Sequence, residues 1–214
     1  VNGWDTGGGD FETMEGGTYA ALCIGVVDIG TQTSTWNGET KLKKQVVFIF
    51  EFPTETIRVD GQDMPRNLSV THTQTMGSMG GLRKMFTDWR GRDFTHEEMK
   101  DFHLSKVLGA PASVTVINKE KEGKTYTNIT RVAKLQKGSQ VPKPTRRFYF
   151  DLDDQDSWEA IETMPNWLVS RINKSAECVQ RKKVFMKEQD KQHVNETTEY
   201  YPADDDNSGD DVPF

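Results

Sequence analysis

Cysteine is nearly missing from this chain: two residues in 214, Cys23 and Cys178, stand far apart and match no metal-ligand spacing, which excludes a disulfide framework and a zinc motif. Cys23 lies in an apolar run and reads as a small buried hydrophobe; Cys178 lies in a polar helical stretch and reads as a surface thiol. Long apolar runs are missing too. No stretch approaches the roughly 18 residues a spanning helix needs, and the first residues are acidic and glycine-rich where a secretory leader would be basic and then apolar. The expectation is a protein with no membrane partner, resident in the cytoplasm. No HExxH, CxxC, glycine-rich phosphate loop or Gly-x-Ser-x-Gly element occurs, so the common signatures of metalloprotease, redox, nucleotide-hydrolysing and acyl-transfer chemistry are lacking.

What is present is charge, strongly segregated. The net charge is -6, but Asp204, Asp205, Asp206, Asp210 and Asp211 carry five of those charges, and the rest of the chain nets -1. Between Lys119 and Arg147 nine basic residues face two acids, a local +7, whereas Asp151 to Glu162 holds six acids and no base. Such asymmetry predicts contact with a polyanion together with an acidic interaction tail.

Hydrophobic patterning predicts a mainly β chain with added helices. Residues 1–15 read as a flexible arm. Thr18 to Ile29 is a long apolar run between Gly17 and Gly30, hence a strand. Polar residues Thr31 to Thr40, with Asn37-Gly38 inside, read as a turn. Lys44 to Phe52 alternates Val46, Phe48, Phe50 and Phe52 against Gln45, Val47, Ile49 and Glu51, a strand that Pro53 is expected to stop. A short strand at Ile57–Val59 is expected to pair with Leu68–Gln74 across Asp60-Gly61. Apolar residues then recur at helical spacing over about 78–103, and Thr95 with Glu98 forms a capping-box pattern. From Pro111 the sequence reads as a hairpin about Glu122-Gly123 with basic residues on its rim. A strand is expected at 146–153, a helical stretch interrupted by Pro165 over about 157–187, and a disordered acidic tail over 190–214. Five or six strands with a helical insertion after the third suggest one domain, 16–189, built on a small barrel of the oligonucleotide-binding (OB) type.

The last residues, ADDDNSGDDVPF, place Val212, Pro213 and Phe214 after clustered aspartates, where no folded core needs them. A terminal Phe and its carboxylate on an acidic tether suit capture by a partner pocket with a basic rim. This tip resembles that of bacterial and bacteriophage single-stranded DNA-binding proteins. Less specifically, GGTYAALCIGVVDIGTQ, KKQVVFIFEF and GAPASVTVINKEKEGKTYTNITRV resemble the strand-turn framework of the phage members. The resemblance implies an OB fold, sequence-independent binding of single-stranded DNA during phage replication or recombination in a bacterial cytoplasm, and recruitment of polymerase, primase, helicase or nuclease through Asp210, Asp211, Val212, Pro213 and Phe214. A monomer or dimer is expected, with no cofactor or metal.

Binding single strands needs a positive groove for phosphates and aromatic faces for bases. The candidate stackers are Trp36, Phe48, Phe50, Tyr126 and Tyr149, with Phe148 beside the last. The candidate phosphate contacts are Lys41, Lys43, Lys44, Lys119, Lys121, Lys124, Arg131, Lys134, Arg146 and Arg147. For every aromatic a core position competes with that role, above all for Phe48 and Phe50. Two rival readings use the same residues. A recombination mediator would turn the basic region toward protein. A metal-dependent nuclease would draw on Asp151, Asp153, Asp154 and Asp156, or on His96 and His103 seven apart on one helical stretch, although acids ahead of a helix more simply complement its dipole.

Overall fold

The computed structural model describes residues 13–59 and 61–183, with only the backbone of Trp36. The expected arm and acidic tail fall almost wholly outside them. Met14, expected in the arm, is instead buried in the core, and its carbonyl accepts a hydrogen bond from Asn118 Nδ2 at 2.9 Å.

Six strands form one mainly antiparallel sheet: β1 (Gly17–Trp36), β2 (Glu39–Val59), β3 (Gln62–Thr73), β4 (Pro111–Lys121), β5 (Lys124–Ala133) and the short β6 (Phe148–Phe150). The ladder runs β3-β2-β1-β4-β5, and β6 joins β1 in parallel over Gly25–Val27. β3 and β5 approach, with Cα atoms within 8 Å, yet no ladder joins them among the described residues, so the sheet stays open along that seam.

Two strands are longer than their sequences suggest. Thr31–Thr40 is not a turn: β1 continues to Trp36, β2 starts at Glu39, and only Asn37 and Gly38 turn, both at positive φ (49° and 79°), as a tight I′ hairpin requires. The threonine-rich flanks are β-prone despite their polarity. Nor does Pro53 end β2, which runs on to Val59. Pro53 lies within the irregularity between Phe52 and Thr56 and beyond Glu51, the last residue of β2 paired with β1, so its missing N–H costs no ladder bond. Ile57–Val59 consequently pairs with Gln62–Met64, and Leu68–Thr73 pairs with Gln45–Phe50.

The insertion contains two helices, as the spacing predicts. In α1 (Gly81–Arg90) Leu82, Met85, Phe86 and Trp89 fall on one buried face, and Gly91 at φ 73° closes the helix. Thr95 and Glu98 make the reciprocal capping box of α2 (His96–Lys100). α2 ends before the 3-10 turn Leu104–Val107, so His96 and His103 do not share a helix face.

Two apolar clusters cover the two faces of the central strands. Val46, Phe48, Phe50 and Phe52 pack inward with α1 and with Ala112, Val114 and Val116 of β4. Val47 and Ile49 pack outward against Phe150, Leu152 and the C-terminal helical region. That region is a 3-10 stretch (Gln155–Thr163), α3 (Asn166–Asn173) and helical residues 176–183. Cys178 belongs to this second cluster and is buried, not a surface thiol, because residues 176–183 fold back on the sheet. Glu177 fixes them there, accepting from Thr31 N at 2.8 Å and from Thr31 Oγ1 at 2.6 Å. Among the described residues no helix is long and apolar enough to cross a membrane.

Candidate nucleic-acid interface

Register places one acid-poor polar strip on the outer face of β2 and β3. Val46, Phe48 and Phe50 point inward, so alternation turns Lys41, Lys43 and Gln45 outward, with Gln32 and Ser34 opposite them on β1 and Thr73 and Thr71 on β3. α3 adds Arg171, whose Nη1 donates to Thr71 Oγ1 and whose Nη2 donates to Gln45 Oε1, both at 3.1 Å. Gln32 Nε2 donates to the Arg171 carbonyl at 3.0 Å, tying the end of α3 to the residue paired with Lys43. Partial burial holds the Arg171 guanidinium below its usual range. Among the described residues neither Arg171 nor Lys43 has a carboxylate partner, while Lys41 is paired with Glu39 at 3.0 Å. The strip thus presents two uncompensated cations on a floor of hydroxyls and amides, the donor set that tracks phosphate oxygens. Below Gln45 the β1–β2 pair continues without flanking strands as a two-stranded ribbon ending at Asn37-Gly38.

Only part of the residue set expected from sequence converges here. Lys41 and Lys43 lie on the ribbon; Trp36 pairs with Glu39 at its end, and its side chain is outside the description. Lys119, Lys121 and Lys124 are exposed on the β4–β5 hairpin, where Tyr126 pairs with Lys119. That hairpin is at the other end of β1: Gly17 pairs with Val116 and Ser34 with Lys41, a separation of about 55 Å measured along the strand at ~3.3 Å per residue. The +7 segment is therefore not one patch. Arg131 pairs with Asp88 at 3.4 Å, Lys134 lies beside Gly91, the Arg147 guanidinium covers Gly109, and Arg146 is half-buried near Glu51.

Five expected contacts take other roles. Phe48 and Phe50 are fully buried, edge-on to Phe86 and tilted on Trp89 respectively, and offer no face to a base. Both faces of β2 are covered, for which the uninterrupted apolar run Val46–Phe50 is the signal. Lys44 is bound to buried Asp28 at 3.1 Å and to Asp153 at 3.4 Å. Tyr149 donates to Asp151 Oδ2 at 3.2 Å, and burial followed by the Asp151 charge pushes its hydroxyl up to about 12. Surrounding carboxylates at Asp28, Asp151 and Asp154 make that site hostile to phosphate. Phe148 lies flat against Gly25, where an added Cβ would come within 2.4 Å of its ring. Sequence reasoning missed Arg171, because its role depends on how α3 crosses the sheet and not on spacing within the helix.

The acids from Asp151 onward serve local structure: Asp151 Oδ1 accepts from Asp153 N, and Asp154 Oδ1 from Asp156 N at the start of the 3-10 stretch. No group of three His, Cys, Asp or Glu side chains placed to hold a metal ion occurs among the described residues. Asp210 to Phe214, expected to bind partners, lie outside them. Compared with known proteins, the chain matches no family model and no curated relative.

Proposed function

We propose that this chain is a non-catalytic protein that binds single-stranded DNA without sequence preference, and that the strand crosses the outer face of β2 and β3 and the β1–β2 ribbon. The observation carrying this reading is the strip formed by Lys43 and Arg171 over Gln45, Thr71 and Thr73, which lacks a carboxylate to answer its charge. Lys41 extends it along the ribbon, and the lysines of the β4–β5 hairpin form a second basic element farther along the strand path. The ladder order supports an OB-type barrel, since β3-β2-β1-β4-β5 with a helix between β3 and β4 is the order expected of a five-stranded Greek-key barrel that would close between its third and fifth strands. The acidic segment ending Asp-Asp-Val-Pro-Phe supports a second role, recruitment of replication or recombination proteins, and its resemblance to phage proteins supports that setting.

Charge reversal tests the reading. Lys43→Glu, on an exposed strand position, is expected to weaken oligo-dT binding at least tenfold at low salt with folding intact. Equal binding by the variant would remove the strip from the interface. Degradation of the oligonucleotide in magnesium would replace the reading with a nuclease.

A further inference from the structure

A second concave site lies on the far side of α1 and shares no residue with the strip. Its volume is about 430 Å³, within the range of built ligand pockets. Half-buried Phe102 and Val107 form the accessible floor, backed by buried Phe86 and Trp89 of α1, and Arg90, Lys106 and Lys134 stand on the rim. No carboxylate lines the pocket. Arg90 is already engaged, at 2.9 Å from Glu98, but among the described residues Lys106 donates only to the carbonyl of Asp101 at 2.7 Å, and Lys134 has no ion pair. The Trp89 indole N–H is satisfied by the Pro111 carbonyl at 2.8 Å, so the floor makes no polar demand on an occupant. The pocket therefore suits a ligand that pairs an aromatic or aliphatic group with several negative charges.

The chain itself carries such a segment. Residues 204–214 combine five aspartates with Val212, Pro213 and Phe214. We propose that this segment docks in cis in the pocket between α1 and the Leu104–Val107 turn, with Phe214 on the aromatic floor and the aspartates on Lys106 and Lys134. Thirty-one residues follow Lys183, the last one described. Their contour, ~100 Å at about 3.3 Å per residue, exceeds the span of a body whose radius of gyration is roughly 15 Å for this length. Tethering also gives the segment a far higher effective concentration than a second copy's tip would have. The inference rests on the reading of 204–214 as a docking tip and is independent of where DNA binds.

The test uses the full chain with a photoreactive benzoylphenylalanine replacing Phe214, irradiated at low micromolar concentration and mapped by mass spectrometry. The expected result is a cross-link within one chain to Phe102, Lys106 or Val107, reduced at least fivefold by the exposed substitution Lys106→Glu and unchanged by excess oligo-dT. Cross-links to residues 41–45 or 119–124, products of dimer mass, or indifference to Lys106→Glu would each overturn it. Oligo-dT binding measured on the same protein separates the two readings. Cross-linking without DNA binding removes the single-strand interface and leaves the pocket assignment standing; DNA binding without the cross-link does the reverse.

Discussion

Arg171 in α3 donates to Thr71 in β3 at 3.1 Å across the outer face of the sheet, so one bond joins the C-terminal helical layer to the surface proposed for DNA. The layer that buries Val47 and Ile49 therefore also supplies the cation on that surface. Replacing Arg171 by Gln keeps a hydrogen-bonding side chain but removes the charge. The expected outcome is an oligo-dT affinity lower by about 1–2 kcal/mol, with the slope of log K against log salt reduced by about 0.7, one single-strand phosphate contact. Anisotropy titrations at four salt concentrations check both numbers.

Lys44 is expected to behave in the opposite way. Its ammonium is held by Asp28, a carboxylate about 5% exposed that also accepts from Gly30 N at 2.8 Å. Burial raises the Asp28 carboxyl above its usual range, against the Gly30 hydrogen bond and Lys44. Lys44→Met leaves that buried charge without its ion-pair partner, and a stability loss of about 3 kcal/mol follows in chemical denaturation. The salt dependence of DNA binding stays that of the parent chain.

His72 faces Phe48 at the open seam between β3 and β5, and burial lowers its imidazole below the usual range. The unfolded chain then takes up a proton that the folded chain resists. Stability contributed by this group is full above pH 6.5 and declines as pH falls through the lower folded value. Denaturant midpoints compared at pH 7.5 and 5.0 should show a larger acid loss for the parent than for His72→Gln.

Gly25 gives a steric test of the β1–β6 junction. A Cβ there would meet Phe148 Cζ at 2.4 Å and both flanking ring carbons within 3 Å, so Gly25→Ala must displace the ring or the strand. A destabilisation of about 2–3 kcal/mol is expected, and Phe148→Leu in the same chain should recover part of it.

Local chemistry made much of this fold readable. Asn37-Gly38 and Glu122-Gly123 both turn at positive φ between paired strands, and the Thr95–Glu98 box and the apolar spacing of α1 hold as read. Misreadings arose where tertiary neighbours decide the outcome. Pro53 reads as a stop, but β2 has no β1 partner beyond Glu51 and tolerates it. Phe48 and Phe50 can be read as open to a base only while their own face of β2 is thought to be uncovered, and α1 closes that face with Phe86 and Trp89. The basic run 119–147 looks like one patch in sequence because nothing local reports that Arg131 turns to Asp88, Lys134 to Gly91, Arg146 toward Glu51 and Arg147 to Gly109. Arg171 becomes visible as a candidate only after α3 is docked.

Anisotropy of a labelled 30-nucleotide oligo-dT against its duplex, titrated with the full chain from low to physiological salt, tests the proposed single-strand binding most directly. The expected result is binding that prefers the single strand and weakens linearly in log salt. Equal affinity for the duplex, or no binding at low salt, would contradict it.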